Sequence, residues 1–574
     1  MSGCLDRFPS PLTEYGTVSA EPAASAPSVS ESGGLNAAAI DVRRVPWIRP
    51  LAGAYAFNFT QIEDLYAGNP ADPEAWRSAI ARAQRHPRDR RSLSDLLQRQ
   101  QRERGAPPAA REAAVRLADP SSVAVVTGQQ AGVFGGPLFT LLKALTALQL
   151  AQRARERDHV PAVAIFWVDA EDHDWEEVRS CTVLDAGYQT RTVTLADPEG
   201  AGELSIAALR LDERVEQTIQ ELSSILPATE FKDEVLEGVR RAWRPGAGMA
   251  RAFATWLETL LGPHGLVVYE SSDPAAKPIA AGVFTRELSD PGRTSTLAAD
   301  AGQVLAARGH APQVEPQRES LSLFSLDGGR HQIRRQDDHY LVGDRSETLA
   351  ALAAQAATRP DSFSPNVLLR PIVQDTLFPT ICYVAGPSEL AYLGQLRGVY
   401  EHFGVPMPLM FPRTTATLLD SASARFLRKY DLALEDLQPQ GESVLNRLLE
   451  SQLPASVERA LRDAADRIEE AMAQVTAAVP AVDPTLGGAA KTTRSKMDHE
   501  LRALHNKVIQ ASKRRHDTLR RQFVRAQAQA FPQGHPQERT LGMIYFVAKY
   551  GPGLVDRLCE SLPLDMGHHW VITI

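Results

Sequence analysis

The sequence predicts an α/β protein with a Rossmann-like, doubly wound parallel sheet, two inserted connecting domains and a C-terminal antiparallel coiled coil. Short apolar segments separated by helical patterns predict buried parallel strands. Two long stretches interrupt that alternation, and the last third of the chain carries apolar residues at heptad spacing. A chain of 574 residues is long enough for roughly three or four domains of about 150 residues each.

Composition and charge exclude several classes of protein. The formal charge of -8 gives no broad basic surface, so we expect no nucleic-acid partner. No apolar run reaches the roughly 18 residues of a membrane span, and the N-terminal MSGCLDRFPSPLTEYG lacks a basic segment followed by an apolar one. The four cysteines lie far apart without a CxxC pair, which suits a reducing compartment. We therefore expect a soluble, cytoplasmic protein.

The first part of the chain is predicted to be a loop followed by helices. Residues Val18 to Ala39 are rich in Ala, Ser, Pro and Glu and carry few large apolar groups, so they are predicted to form a mobile loop. Helical patterns follow from Asp72 to Leu117, with Asp72 as the N-cap and Pro73 in the first turn.

A βαβ unit begins the core. Ser121 to Thr127 is a predicted strand, Pro137 to Arg155 a helix with leucines at helical spacing, and Ala162 to Val168 a second strand. This order implies parallel strands joined by a right-handed crossover. Four further strands of this type are predicted: Leu266–Tyr269, Val367–Ile372, Thr380–Ala385 and Leu409–Phe411.

The remaining segments are predicted to be insertions and a helical hairpin. Asp327-Gly328-Gly329 is typical of the turn of a β-hairpin. After Asp420, two helices with apolar residues spaced by three and four flank the turn sequence PAVDPTLGG, which predicts an antiparallel coiled-coil hairpin. A packing arm is the simpler interpretation of this hairpin, and because coiled coils often dimerise we expect a homodimer.

The expected boundaries are 1–189 for an N-terminal segment and the first half of the core, 190–262 for a helical insertion, 263–280 for a core strand, 281–362 for a second insertion with the β-hairpin, 363–420 for the second half of the core, 421–530 for the coiled-coil hairpin and 531–574 for a segment that returns to the core.

The loop after the first core strand contains four glycines between Thr127 and Pro137. It matches neither a Walker A loop nor GxGxxG. Glycine lets the backbone approach a ligand closely, and the N-terminus of the following helix favours an anionic group. A tight turn that requires positive φ angles is the alternative interpretation. The candidate substrate-binding residues here are Gln129, Gln130, Gly132, Gly135 and Gly136.

The second core strand runs into an acidic segment, Asp169 to Glu177, with six carboxylates and one histidine. Close carboxylates raise one another's pKa values, and an adjacent imidazole can accept a proton, which suits a general base. Mg²⁺ would also suit the segment, although no outside ligand set is evident and we assign no metal ligands. The alternative is an N-cap followed by a solvated acidic helical turn. The candidate catalytic residues are His173, Asp174, Asp172 and Glu171, with His173 and Asp174 foremost.

Three more predicted strands end in polar side chains. Arg370 is a fixed positive charge that can pair with a carboxylate or phosphate, either on a ligand or inside the protein. In the turn Gly-Pro-Ser-Glu, Ser388 is placed as a helix N-cap, so the helix can occupy its hydroxyl. Four polar strand ends on one edge of a sheet indicate a single pocket. Its further candidate substrate-binding residues are Arg370, Asp375, Ser388, Glu389, Tyr392 and Arg413.

Taken together, these segments resemble the cysteine-adding enzyme family of bacillithiol biosynthesis. The matching blocks are VVTGQQAGVFGGPLFTLLKALTALQLA, VPAVAIFWVDAEDHDWEEV, LLRPIVQDTLFPTICYVAGPSELAYLGQLRGVYEHFGVPMPLMFPRTTATLLD and PQERTLGMIYFVAKYGPGLVDRL, and FPSPLTEY resembles the opening of the family. The resemblance covers Leu5 to Ile574.

The resemblance implies a Rossmann-like core with two connecting insertions and a coiled coil, assembled as a dimer. It also implies the last step of bacillithiol synthesis, with cysteine and glucosaminyl-malate as substrates. Related nucleotidyltransferases carry an HxGH motif where this chain reads Phe134-Gly135-Gly136-Pro137. The use of ATP or ADP as a cofactor therefore stays open. Arg539 and Tyr550 are the candidate nucleotide-binding residues, with surface packing as the alternative.

The mechanism that follows as a hypothesis is an acyl transfer. His173 or a neighbouring carboxylate removes the amine proton, N–H groups of the glycine loop stabilise the oxyanion, and Arg370 or Arg413 holds the malate carboxylates. Two other classes stay open at this point. One is a metal-dependent hydrolase built around Glu171-Asp172-His173-Asp174, and the other is a non-enzymatic assembly factor of thiol biosynthesis in which the coiled coil is the working part.

Overall fold

A five-stranded parallel sheet lies in the larger of two structural units. The computed structural model describes residues 29–32, 35–317, 320–439, 443–451, 455–515 and 517–574. Among these, the larger unit runs to Thr417 and includes Pro536–Ile572, and the smaller unit comprises Leu418–His535 with the last two residues. The strands are β1 (Val29–Ser32), β2 (Leu35–Asp41), β3 (Val123–Gln130), β4 (Ala162–Asp169), β5 (Ser180–Leu184), β6 (Thr190–Thr194), β7 (Val267–Glu270), β8 (Ser320–Ser325), β9 (His331–Gln336), β10 (His339–Val342), β11 (Arg345–Glu347), β12 (Phe363–Pro365), β13 (Thr380–Ala385), β14 (Leu409–Pro412), β15 (Thr415–Leu419) and β16 (His568–Thr573).

Helices connect these strands and make up most of the smaller unit. The α-helices are α1 (Pro50–Phe57), α2 (Pro73–Arg85), α3 (Arg90–Arg104), α4 (Pro108–Arg116), α5 (Leu138–Arg157), α6 (Trp175–Val178), α7 (Arg214–Ile225), α8 (Lys232–Ala242), α9 (Met249–Leu261), α10 (Lys277–Ser289), α11 (Arg293–Ala307), α12 (Leu349–Thr358), α13 (Arg370–Leu377), α14 (Glu389–Leu393), α15 (Arg397–Phe403), α16 (Ser421–Lys429), α17 (Ser443–Ser451), α18 (Ala455–Ala478), α19 (Leu486–Arg515), α20 (Asp517–Ala530), α21 (Gln537–Thr540), α22 (Met543–Tyr550) and α23 (Gly553–Ser561).

The order of strands across the parallel sheet is β14-β13-β3-β4-β7. Every neighbouring pair is parallel, and β3 pairs with both β4 and β13. If the five strands are numbered one to five as they follow one another along the chain, the order read from β7 to β14 is 3-2-1-4-5, the arrangement of a Rossmann-like sheet. The winding reverses between β3 and β13, and ligands in such sheets bind outside the carboxyl ends of the strands at that point.

Most predicted strands of this sheet are present with small changes at their ends. β13 has the predicted bounds, and β4 extends one residue further, to Asp169. β3 begins two residues later than predicted and continues to Gln130. Gly128 and the two glutamines after it are therefore strand residues, and the glycine-rich turn is shorter than the sequence indicates.

The predicted strand Val367–Ile372 is wrong, because this segment leads into a helix. α13 begins at Arg370, with Pro371 in its first turn, where a proline is well tolerated. The side chain of Asn366 starts the turn by accepting hydrogen bonds from two following N–H groups at 3.0 and 3.1 Å. A short apolar run suits a buried strand or a buried helix equally, and here the asparagine and the proline decide for the helix.

The helix α5 connects β3 to β4 and is buried around most of its circumference. It begins at Leu138 after Pro137 as N-cap and ends at Arg157, close to the predicted bounds. Leucines such as Leu141 and Leu145 are fully buried, and Lys143 is buried among them. The buried lysine places a charge directly behind the carboxyl end of β3.

The predicted loop Val18–Ala39 is wrong for the part that the structure describes. β1 and β2 pair antiparallel and continue into a four-stranded sheet of order β1-β2-β16-β15. Residues 18–28 and 33–34 of the predicted loop lie outside the described residues, as does the segment FPSPLTEY. Composition predicted a loop because few large apolar groups are present, but pairing with distant strands supplies the missing contacts.

The two insertions differ in architecture. The first contains the hairpin β5–β6 and the helices α7 to α9, so the range predicted as helical, 190–262, also holds the strand β6. The second contains an antiparallel sheet of order β11-β10-β9-β8-β12. The predicted hairpin turn lies between β8 and β9, where Gly328 and Gly329 have φ angles of +78° and +129° that favour glycine.

The smaller unit contains the predicted helical hairpin. Two contacts show the register between α18 and α19: Arg494 lies 2.7 Å from Glu469, and His505 lies 3.8 Å from Glu458. As one residue number rises the other falls, so the two helices are antiparallel.

Among the described residues, no helix combines the length and the apolar character needed to span a membrane. The homodimer expected from the coiled coil stays a prediction.

Candidate active site

A cavity of about 380 Å³ lies at the carboxyl ends of β3, β4 and β13. This is the point where the winding of the parallel sheet reverses, the usual position of a ligand in such a sheet. The first turn of α13 and the β8–β9 hairpin complete the walls. The predicted site residues that line it are Gln129, Gln130, Glu171, Asp172, His173, Asp174, Arg370, Ser388, Glu389, Tyr392, Arg413 and Arg539.

Arg370 is a partly buried cation whose nearest partners are neutral. Its guanidinium donates to Gln374 Oε1 at 3.1 Å and to Tyr392 Oη at 3.3 Å. Its central carbon lies 6.0 Å from the ring centre of Trp167 and 5.7 Å from that of Tyr383. Within the described part of the chain, no carboxylate comes within 4.0 Å of its nitrogens. Because a guanidinium has five N–H donors, Arg370 can still bind a ligand carboxylate.

Lys143 and Glu389 form an ion pair that joins the ends of β3 and β13. Lys143 Nζ lies 2.7 Å from Glu389 Oε2 and donates to Gly128 O at 2.9 Å and to Gln129 Oε1 at 3.2 Å. These three acceptors match the three N–H groups of an ammonium. Burial disfavours ionisation of Glu389, but the Lys143 ammonium outweighs it and holds the pKa of this carboxyl below its usual value. Burial lowers the pKa of the Lys143 ammonium, and the carboxylate of Glu389 opposes that shift, so each group supports the charge of the other.

Two of the predicted catalytic carboxylates make structural contacts. Glu171 is buried, forms an ion pair with Lys277 and accepts a hydrogen bond from Ser364 Oγ at 2.9 Å. Asp174 is the N-cap of α6 and accepts from the N–H of Glu177 at 3.2 Å. Asp174 thus has the N-cap role that was the alternative interpretation of the acidic segment.

Asp172 and His173 lie together at the edge of the cavity. Asp172 Oδ1 is 3.2 Å from His173 Nδ1, and the same carboxylate accepts from Gln130 Nε2 at 3.1 Å and from Arg330 Nη1 at 3.4 Å. An imidazole beside an anchored carboxylate is the arrangement of a base and the group that orients it. His173 therefore lies in the cavity beside the Asp172 carboxylate, and its role as a base stays a prediction.

Asp169, the last residue of β4, is a cavity residue that was not among the predicted catalytic positions. Burial raises the pKa of its carboxyl above the usual value, although the nearby charge of Arg370 works in the opposite direction. No described residue donates a hydrogen bond to this carboxylate. A buried carboxylate with a raised pKa and open acceptor positions can bind or deprotonate an amine.

The second half of the glycine-rich turn lies away from the cavity. Gly132, Gly135 and Gly136 do not line it, and their N–H groups donate to carbonyls within the turn at 2.9 to 3.2 Å. Gly135 and Gly136 have φ angles of +99° and +73°, and a Cβ on Gly135 would lie 2.6 Å from the sulfur of Met543. Gly135 and Gly136 fit the tight-turn interpretation through their positive φ angles, and Gly132 fits it because a Cβ there would lie 2.8 Å from the Cα of Gly136.

Arg413 lines the cavity but is already paired inside the protein. Its guanidinium donates to both carboxylate oxygens of Glu538, at 2.9 and 2.8 Å, and both side chains are buried.

Ser388 is in the N-cap position of α14 but makes no capping hydrogen bond, and its hydroxyl instead accepts from Arg539 Nη2 at 3.2 Å. The prediction that the helix occupies the Ser388 hydroxyl is therefore wrong.

Asp375 and Tyr550 are not in the cavity. Asp375 is fully buried on α13 and accepts a hydrogen bond from Tyr400 Oη at 2.5 Å. Tyr550 ends α22, with Lys549 Nζ 5.0 Å from its ring centre. The cavity therefore brings together most of the predicted residues but excludes these two and the three glycines.

Two family models match the chain along almost all of its described length. The N-terminal Rossmann-like domain of bacillithiol biosynthesis BshC matches residues 35–414, and the C-terminal coiled-coil domain of the same family matches residues 416–574. The chain belongs to the BshC family.

Curated relatives of this family are similar over nearly their full length. A Salinibacter ruber protein is 35% identical over 526 residues, which is 91% of this chain and 95% of the relative. A Symbiobacterium thermophilum protein is 33% identical over 548 residues, with 92% and 98% covered. A Koribacter versatilis protein is 34% identical over 528 residues, with 91% and 97% covered. Each of the three bears the name "Putative cysteine ligase BshC".

The geometry of this BshC-family cavity gives no support to a metal-dependent hydrolase. Within the described ranges, no group of three or more His, Cys, Asp or Glu side chains is arranged to hold a metal ion. The carboxylates predicted for that role are directed to different partners, Glu171 to Lys277 and Asp174 to a backbone N–H. Metal binding would have to break these contacts.

The cavity also holds residues that the sequence interpretation missed, chiefly Lys143, Asp169 and Arg330. One signal was available: Lys143 interrupts a leucine-rich helix directly after the first core strand, where a charge without a function is costly. Asp169 ends its strand and begins the acidic segment of the sequence, but its lack of hydrogen-bond donors among the described residues is a tertiary property. Arg330 reaches the cavity from the β8–β9 hairpin, 158 residues from its partner Asp172.

Proposed function

We propose that this chain joins cysteine to the amine of glucosaminyl-malate and so forms bacillithiol. The family's part in bacillithiol biosynthesis and the relatives' name, a cysteine ligase, support the proposal. The structural observation that carries it is the cavity at the reversal point of the sheet. There Arg370, a cation with neutral partners, lies with Asp169 and His173, two groups able to accept a proton.

The proposed reaction is an acyl transfer to nitrogen. The glucosamine amine attacks the carbonyl carbon of an activated cysteine, the C–N bond forms, and the leaving group departs with the electrons of its bond to that carbon. The amine gives up one proton to a base. Condensation of a free carboxylate with an amine is uphill in water, so the cysteine carboxyl has to be activated before attack. ATP or ADP as the cofactor of that activation stays open.

His173 is our proposed base, with the carboxylate of Asp172 beside it. Neutral imidazole accepts a proton near neutral pH, and the carboxylate 3.2 Å away stabilises the imidazolium that results. Asp169, deeper at the end of β4, is placed to hold the attacking amine by accepting one of its N–H groups. Both roles use side chains that line the same cavity.

Arg370 is our proposed binding residue for a malate carboxylate. Of the two arginines considered for this role, Arg413 already has both oxygens of Glu538 as acceptors. Arg370 donates to uncharged oxygens, so binding of a ligand carboxylate would replace weak hydrogen bonds of the guanidinium with a charge-assisted pair. We therefore assign recognition of a malate carboxylate to Arg370 rather than to Arg413.

Purified protein incubated with cysteine, glucosaminyl-malate and ATP tests the proposal, with the product identified by mass spectrometry. We expect a product with the mass of bacillithiol, and a parallel reaction without ATP reports how the carboxyl is activated. His173→Ala is expected to lose activity, whereas His499→Ala, an exposed histidine of α19, is expected to keep it. Full activity of His173→Ala would reject the base assignment.

Deletion of the gene in its host tests the pathway step independently of purified components. We expect bacillithiol to disappear and glucosaminyl-malate to accumulate. A plasmid copy with Asp169→Asn should not restore the thiol, and one with Asp466→Asn, an exposed carboxylate of α18, should restore it. Restoration by Asp169→Asn would favour an assembly factor over an enzyme that uses this cavity.

A further inference from the structure

A second and larger cavity, of about 840 Å³, lies beyond the outer strand β7 of the parallel sheet. Its walls come from α3, from the turn before α9 and from the segment that follows β7. Glu171 lines both this cavity and the one described above. The ion pair between Glu171 and Lys277 therefore belongs to the wall between the two.

The lining of this second cavity has an excess of positive charge. It contains six arginines and four acidic residues, and all four acids are already paired. Three of these acids form ion pairs with arginines of the lining at 2.6 to 3.0 Å, and Glu171 forms an ion pair with Lys277. The three internal pairs are Asp273 with Arg99, Glu270 with Arg104 and Glu103 with Arg251.

Three arginines of the rim remain: Arg210, Arg241 and Arg244. Arg210 and Arg244 have no carboxylate within 4.0 Å among the described residues, and Arg241 lies 3.9 Å from Glu237. All three are exposed, so each can reorient without disturbing the core. The rim therefore carries two arginines without a described carboxylate partner, Arg210 and Arg244, and a third, Arg241, whose partner is 3.9 Å away.

The turn before α9 is shaped around one of these arginines. Arg210 Nη1 donates to Ala207 O at 3.0 Å, and a Cβ on Gly248 would lie 2.6 Å from the same nitrogen. Glycine at this position thus lets the guanidinium lie against the turn. Gly248 is also the N-cap of the 13-residue helix α9 and supplies no side-chain acceptor. The N–H of Met249 donates to Leu209 O at 3.4 Å, and the other first-turn N–H groups beside Arg210 have no side-chain cap.

We propose that this second cavity binds an oligophosphate group. Guanidinium groups pair with phosphate oxygens in a bidentate manner, and three of them around one cavity match a ligand with two or more negative charges. The uncapped N-terminus of α9 adds a favourable partial charge on the same side. This site lies outside the cavity assigned to amide formation, and its binding can be measured without any turnover.

Isothermal titration of pyrophosphate into the purified full-length protein tests the site. We expect saturable binding to the unaltered chain and at least about tenfold weaker binding to the double variant Arg210→Gln/Arg244→Gln, because charge-assisted hydrogen bonds are lost. The matched control is Arg240→Gln, an exposed arginine of α8 next to Arg241 that does not line the cavity. It is expected to bind like the unaltered chain.

A second ligand and a second variant locate the site and the source of the phosphate. Glucose 1,6-bisphosphate carries its phosphates on an organic molecule, so tighter binding than pyrophosphate would indicate an organic ligand, and weaker binding a free oligophosphate. Arg370→Gln should leave pyrophosphate binding unchanged. The proposal is overturned by absence of binding to the unaltered chain, by equal binding to the double variant, or by loss in Arg370→Gln alone.

Discussion

Arg370 and Arg413 line the same cavity, yet their surroundings are opposite. Arg413 donates to both oxygens of Glu538, so its charge is neutralised within the protein. Arg370 donates to an amide and a phenol, Gln374 and Tyr392, and no described carboxylate lies within 4.0 Å of its nitrogens. A buried arginine with its own carboxylate stabilises the fold only while the pair is complete. An arginine held by neutral groups keeps its charge for a ligand. The difference separates a cation that is paired inside the protein from the one that we propose binds a ligand.

Removal of the Arg413 partner should give the largest effect on stability. In Glu538→Gln the buried guanidinium loses its carboxylate, and we expect the free energy of unfolding to fall by about 3 to 5 kcal/mol. Urea denaturation measures this loss, and Glu560→Gln, an exposed carboxylate of α23, is the control. A loss below about 1 kcal/mol would place Arg413 with Arg370 as a cation available to ligands.

Acid should weaken the same structural cluster through His569. Burial, assisted by Arg413, lowers the pKa of this histidine to about 4, whereas an unfolded histidine has a pKa of about 6.5. At a pH between these two pKa values the unfolded chain binds more protons than the folded chain. The free energy of unfolding therefore falls by on the order of 3 kcal/mol as the pH drops from about 6.5 to about 4. Urea midpoints at several pH values should show a shallower fall in His569→Gln. An equal fall in both proteins would contradict the buried neutral state.

Loss of the binding cation should affect catalysis more than folding. For Arg370→Gln we expect KM for glucosaminyl-malate to rise by about 10- to 150-fold, equivalent to a charge-assisted hydrogen bond of about 1.5 to 3 kcal/mol. The urea midpoint should change little, in contrast to Glu538→Gln. Arg102→Gln, an exposed arginine of α3, is the control. A large loss of stability with unchanged KM would reverse the assignment of the two arginines.

The smallest effect is expected from the phenol that positions Arg370. Tyr392→Phe removes the acceptor 3.3 Å from the guanidinium and leaves the ring in place. A hydrogen bond to one neutral partner contributes about 0.5 to 1.5 kcal/mol to the positioning of the guanidinium. KM for glucosaminyl-malate should therefore rise by about two- to tenfold while kcat stays nearly constant. Steady-state kinetics on both parameters distinguishes this from a general loss of folded protein, which would lower kcat instead.

Local patterns predicted most of the core because each strand carries its own signal. Thr380–Ala385 has the predicted bounds, and Asp72 is the N-cap of α2 as predicted, accepting from the N–H of Glu74. The predicted strand Val367–Ile372 was wrong because its apolar run suits either type of element, and Asn366 and Pro371 decide for the helix. The strands β1 and β2 were missed because their stability comes from pairing rather than from composition.

The sequence by itself determined the class of fold, the family and the segments whose polar ends meet at one edge of the sheet, since all of these are local patterns. Only the tertiary structure decided which of those polar groups have partners. Arg370 and Arg413 look alike in the sequence, and Glu538, which distinguishes them, is 125 residues from Arg413. Asp169 and Lys143 acquire their roles in the same way, because burial and the distance between charges depend on chain segments far apart in sequence.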